Sequence, residues 1–137
     1  MKNIELEIIT PEKVVYKDTI QKIILPTSEG QITILPDHIS LVTVTMPGEI
    51  VVYKENDTSH MAVMNGFVEF SDNKLKLMTD AAELAEEIDE RRAEEAVKRS
   101  EVAKEKALND VENAEASAAL QRALIRIKVA QRKSRRH

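Results

Sequence analysis

All three glycines of this 137-residue chain (Gly30, Gly48, Gly66), all four prolines (Pro11, Pro26, Pro36, Pro47) and all four aromatics (Tyr16, Tyr53, Phe67, Phe70) fall before residue 71. From Thr79 onward neither glycine nor proline interrupts a run rich in Ala, Glu, Arg and Lys. Glycine and proline punctuate turns, whereas long stretches without them suit helices. The break predicts two domains, a turn-rich one over residues 1–80 and a helical one over 81–137.

Ile4, Leu6 and Ile8 alternate with Glu5 and Glu7, the period of two that marks a half-buried strand. Short β-branched runs follow at 14–16, 20–25, 32–35, 41–46, 50–53, 61–64, 67–70 and 75–78, separated by turn signals such as Ser28-Glu29-Gly30, Pro47-Gly48 and Asn65-Gly66. Many short strands with hairpin-length connections and no helix between them predict an antiparallel sandwich or barrel.

Beyond Thr79 the period changes to that of a helix. Asp80 with Glu83 has the form of a capping box, and Asp89 offers a second start. Ala93, Ala96, Val97, Ser100, Ala103 and Ala107 form one narrow face of small residues. Asn109 with Glu112 then opens a second helix, whose apolar side carries Ala116, Leu120, Ala123, Leu124, Ile127 and Ala130. The expected fold is therefore α+β: a β-sandwich followed by an antiparallel two-helix hairpin. Burial is worth about 25 cal/mol per Å² of apolar surface, so a seam built on alanine methyls holds weakly and is expected to be detachable.

Enzyme chemistry has no visible carrier. The chain has no cysteine, and His38, His60 and His137 do not stand at ligand spacing, so no metal site is expected. Nucleophile-elbow, zinc-hydrolase and P-loop motifs are absent, and three scattered glycines cannot build a phosphate cradle. No stretch approaches the roughly 18 apolar residues of a membrane helix, and no basic-then-apolar leader opens the chain, so a soluble protein is expected. Charge is unevenly placed: the net −4 combines an acidic body with a last segment, 120–137, that holds seven basic side chains and no acid. Such an end is either a frayed tail or a cationic helix seeking an acidic surface.

Five ordered segments carry a family resemblance: "EIITPEKVVY" at 7–16, "TSEGQITILPDHISL" at 27–41, "MPGEI" at 46–50, "NGFVEF" at 65–70, and the Ala/Glu-rich tail. Together they resemble the epsilon subunits of bacterial F-type ATP synthases. The family resembled commonly has Gly at the position of Thr33, a Gly or similar small residue at Asp37, often Pro at Ser40, and a Gly pair at Asn65-Gly66. The resemblance implies a sandwich of about ten strands in the rotor stalk, peripheral to the cell membrane on its cytoplasmic side. It implies a gamma subunit on one sandwich face and c-ring contacts at Glu29, Gln31 and His38. It also makes the hairpin regulatory: when extended, basic residues including Arg122, Arg126, Lys128, Arg132 and Lys133, with Arg135 and Arg136 beyond, would meet an acidic segment of the beta subunit and block hydrolysis.

Ile88-Asp89-x-x-Arg92-Ala93 fits the motif by which certain members of this family bind ATP. Spacing alone favours a solvated helix face with i, i+3 ion pairing. The resemblance implies a site of Glu83, Ile88, Asp89, Arg92, Ala93, Arg99, Arg122 and Arg126, with the guanidiniums on phosphate, Glu83 and Asp89 toward the adenine amino group, and Ile88 and Ala93 as an apolar wall. ATP would be a regulatory ligand; no protein ligands for an accompanying magnesium are identified. The alternative reading is a small acidic β-domain adaptor whose basic helix binds nucleic acid or a ribosome.

Overall fold

The computed structural model describes residues 2–133, and of Lys133 the backbone only. Among these residues it has ten strands: β1 (Ile4–Ile9), β2 (Val14–Ile20), β3 (Lys22–Thr27), β4 (Gly30–Ile34), β5 (Leu41–Thr45), β6 (Gly48–Lys54), β7 (Asp57–Val63), β8 (Gly66–Ser71), β9 (Lys74–Thr79) and β10 (Ala82–Leu84). A 3-10 turn at Ala85–Glu87 and two helices, α1 (Glu90–Glu105) and α2 (Asp110–Lys133), follow. The chain divides into two compact units between Leu84 and Ala85.

In the first unit, hydrogen bonding links β10-β7-β6-β3-β4 into one half and β5-β8-β9-β1-β2 into the other. The halves meet through a single residue pair, Thr27 opposite Thr45, where the edge of β3 passes from β6 to β5. One apolar cluster draws on both, including Leu6 and Ile8 of β1, Leu25 of β3, Ile50 of β6, Met61 of β7, Phe70 of β8 and Leu77 of β9. The acids alternating with these residues in β1 stand outward, as the period of two requires. An ion pair of 2.5 Å between Lys54 of β6 and Asp18 of β2 ties the halves at another side, and the Lys54 hydrogen bond holds the Asp18 carboxyl below the usual carboxylate range. Ladders are antiparallel except β1 with β9, which runs parallel. No hairpin joins those two strands, so nothing local dictates their sense.

Asp80 does not start a helix. Its N–H donates to the Asn65 carbonyl at 3.3 Å, and the chain forms β10, pairing Ala82, Glu83 and Leu84 with Val63, Ala62 and Met61 of β7. Ala82 and Leu84 pack on the core, a gain that outweighs the capping pattern of Asp80 and Glu83.

The second unit is a hairpin. Asp89 caps α1, its Oδ1 accepting the Arg92 N–H at 3.1 Å. Asn109 caps α2 by accepting the Glu112 N–H at 2.8 Å, while Glu112 reaches back to accept the Leu108 N–H at 2.8 Å. The helices pack on each other, and α2 also meets the 3-10 turn. Ala93 and Ser100 are buried on α1, and Ala116, Ala123 and Ala130 on α2. Each set repeats every seven residues; Ala93 and Ala123 stand equally far from the interhelical connection, as do Ser100 and Ala116. This is a close seam of small residues. Two expected members lie off this seam. Leu124, 52% exposed, stands one step round the helix from Ala123, where facing alanines leave no room for a leucine. Ala103, exposed, falls outside the seven-residue repeat of Ala93 and Ser100. Val129, which periodicity did not single out, is buried.

Candidate functional site

The residues Ile88-Asp89-x-x-Arg92-Ala93 form the N-terminus of α1. Asp89 is the N-cap, and Ile88 and Ala93 occupy the flanking positions of a hydrophobic staple, 1% and 0% exposed. Three of the four residues thus start and anchor a helix. Arg92 projects, its side chain 81% exposed, with Nε 3.7 Å from the Asp89 carboxylate.

Counted from the connection, Arg122 and Arg126 stand level with Glu94 and Glu90, in the first turns of α1 where Arg92 also lies. Arg99 is two turns away, about 10 Å along the axis. The hairpin therefore gathers Arg92, Arg122 and Arg126 at one level and leaves Arg99 nearer the connection. Arg122 and Lys128 are exposed, and Arg126 and Arg132 half-buried. Glu83 belongs to the sheet unit, on β10 opposite Ala62. The Lys133 side chain, Arg135, Arg136 and His137 lie outside the described residues.

Glu29 and Gln31 sit at the tip of the β3–β4 hairpin. Gly30 turns the chain there at φ +113°, a conformation that side chains rarely adopt, and Thr27 Oγ1 donates to the Gly30 carbonyl at 2.5 Å. His38 lies beyond the other end of β4, a strand of roughly 16 Å, so the register separates it from Glu29 and Gln31. It closes a turn whose N–H donates to the Leu35 carbonyl at 3.1 Å, with Pro36 second and Asp37 third at φ +67°. Proline in second place and a positive φ in third mark a type II turn, whose third residue is ordinarily Gly or Asn. The His38 ring stands edge-on to Phe70, centroids 5.9 Å apart, and Leu35 and Ile39 flank it, 52% and 80% exposed. Lys2 first, and Asn73 second, hold the Asp37 carboxyl below the usual carboxylate range.

The register reveals a surface that the sequence reading missed. Val44, Phe67, Met78, Ile9 and Val14 are successive cross-strand partners, one from each of β5, β8, β9, β1 and β2. Four of them are 38–52% exposed. A groove of about 480 Å³ borders the row's three central members, Phe67, Met78 and Ile9, and continues past Pro11 and Gly66. The next row on this face is Val42, Glu69, Lys76, Glu7 and Lys17, charges alternating from strand to strand. "LVTVT" held the only local signal: β5 turns its valines outward and buries Thr45.

Among the described residues no cluster of His, Asp or Glu could hold a metal ion, and no helix is long and apolar enough to cross a membrane.

Residues 3–85 match the family model described as the beta-sandwich domain of the ATP synthase delta/epsilon chain, and residues 86–131 match its long alpha-helix domain. The ATP synthase epsilon chain of Herpetosiphon aurantiacus is 39% identical over 127 residues, covering 93% of each chain. That of Dehalococcoides mccartyi is 36% identical over 138 residues, covering 100% of this chain and 98% of its own. A chain in the cryo-EM structure of the Euglena gracilis mitochondrial ATP synthase, OSCP/F1/c-ring, superposes with a TM-score of 0.79 at 18% identity, over 98% of this chain and 82% of that one.

Proposed function

We propose, from the premise that this chain belongs to the ATP synthase delta/epsilon chain family, that its hairpin is a movable brake on ATP hydrolysis whose folded state ATP stabilises. The chain is a non-catalytic subunit of the central stalk of ATP synthase, a membrane-associated complex. Within that role we assign the apolar row through Val44, Phe67 and Met78 to the gamma subunit. The turns bearing Glu29, Gln31 and His38 are assigned to the c-ring, at the cytoplasmic side of the membrane. In the extended state Arg122, Arg126, Lys128, Arg132 and Lys133 meet the beta subunit.

The observation that carries the regulatory reading is the seam itself. Ala93 against Ala123 and Ser100 against Ala116 bury little apolar surface per turn, so the hairpin is weakly held. A ligand that binds only the folded form stabilises it by about 1.4 kcal/mol at tenfold excess over its Kd. Against a weak seam that decides the population. ATP held by Arg92, Arg122 and Arg126, with Arg99 reaching from two turns away, would keep the hairpin folded, and ATP depletion would release it to arrest hydrolysis.

Helix-to-helix fluorescence transfer in the full chain tests this. Millimolar ATP is expected to raise transfer, and Arg92→Ala and Arg126→Ala to abolish the response. No response in the wild type, or variants that respond like it, would overturn the reading.

A further inference from the structure

Asp37 has a left-handed backbone, φ +67°, the conformation that glycine adopts most readily. A non-glycine residue there is strained unless its surroundings hold it, Asp and Asn least so. What holds it is Asn73, 36 residues away, in the Asp72-Asn73 turn between β8 and β9, where both residues also have positive φ (49° and 59°). The Asn73 side chain makes two bonds to one residue: its Oδ1 accepts the Asp37 N–H at 2.6 Å, and its Nδ2 donates to Asp37 Oδ1 at 2.9 Å. Lys2 Nζ donates to the other Asp37 oxygen at 2.7 Å, and the Asn73 carbonyl accepts the Glu5 N–H at 2.9 Å. The turn that presents His38 and Ile39 is thus fastened to two other segments of the sheet unit.

We propose that Asn73 is a positioning residue for c-ring docking: its paired bonds to Asp37 hold the 35–38 turn in the shape that offers His38 and Ile39 to the ring. This rests on the assignment of His38 to the c-ring. An ordered loop binds without the cost of ordering it on contact, so the clamp acts on affinity through two residues that it does not itself touch.

A charge exchange separates positioning from general support. Asn73→Asp keeps a residue that tolerates positive φ but sets two carboxylates face to face. Adding Asp37→Asn restores one donor and one acceptor with the roles reversed. The full chain with its gamma subunit is assayed against the detergent-solubilised c-ring, with amide exchange at Asp37 and His38 and the melting temperature read in parallel. Asn73→Asp is expected to weaken ring binding about five- to tenfold and to speed exchange at both amides. The double exchange is expected to recover affinity to within about twofold, which a loss of general stability would not do. Unchanged binding in Asn73→Asp, or no recovery in the double exchange, overturns the proposal. His38→Ala with Ile39→Ser is the control on its premise: if that variant binds the ring like the wild type, the c-ring assignment fails. If it weakens binding while Asn73→Asp does not, only the clamp fails.

Discussion

At Gly66 on β8, the β9 backbone and the Thr45 side chain of β5 approach too closely for any side chain. A Cβ there would lie 2.7 Å from the Met78 carbonyl oxygen, 2.8 Å from Thr45 Oγ1 and 3.0 Å from Thr79 Cβ. The nearest of these is main chain and cannot rotate away. Gly66→Ala is therefore expected to cost about 2–3 kcal/mol, read as a lower denaturant midpoint with an unchanged slope. An alanine variant as stable as the wild type would mean that the strands separate freely at this point. Asp37 solves the opposite problem: its backbone suits glycine, yet an aspartate is retained by bonds to Lys2 and Asn73. Gly66 stands out in the sequence as one of three glycines, and Asp37 follows the turn-marking Pro36. Neither partner set could be read there, because each comes from strands or turns distant along the chain.

Helix α1 separates what the Ile-Asp-x-x-Arg-Ala string does for folding from what it offers a ligand. The Asp89 cap satisfies the Arg92 N–H, and losing such a cap costs about 1 kcal/mol. In the absence of nucleotide, Asp89→Ala is expected to lower the thermal stability of the helical signal in circular dichroism. Arg92→Ala, whose side chain is largely in water, is expected to leave it unchanged. Equal effects of the two substitutions would refute this division of labour. The Asn109–Glu112 cap was legible because its four residues are contiguous, and the strands because alternation is local. β10 was not, since Asp80 and Glu83 satisfy a capping pattern and only the available edge of β7 makes a strand of the residues after them. Leu124 was misjudged because helical periodicity finds a face without saying how closely the partner helix approaches; a seam of alanines excludes it. The parallel pairing of β1 with β9 had no local signature at all.

Over the whole molecule, the outer face of β5-β8-β9-β1-β2 places an apolar row beside rows of alternating charge. The charged rows supply partners to one another, as Lys17 with Glu7 at 3.9 Å, and gain nothing from a protein surface that would desolvate them. The apolar row gains by leaving water, and it carries Phe67 and Met78 side by side, two residue types enriched at protein interfaces. This asymmetry is the reason for assigning the gamma contact to the row in our proposal. Val44 is 47% exposed beside Phe67, so a carboxylate at position 44 can stay hydrated in the free protein but must be stripped of water against gamma. Val44→Glu is expected to weaken association with gamma by about 2 kcal/mol or more, a loss of roughly thirtyfold, while the melting temperature shifts little. Lys74→Ala, in the charged region of the same face, is expected to leave the affinity unchanged. Titration calorimetry of the full chain against gamma measures both. If Val44→Glu binds as tightly as the wild type, or Lys74→Ala carries the larger loss, gamma does not sit on this row.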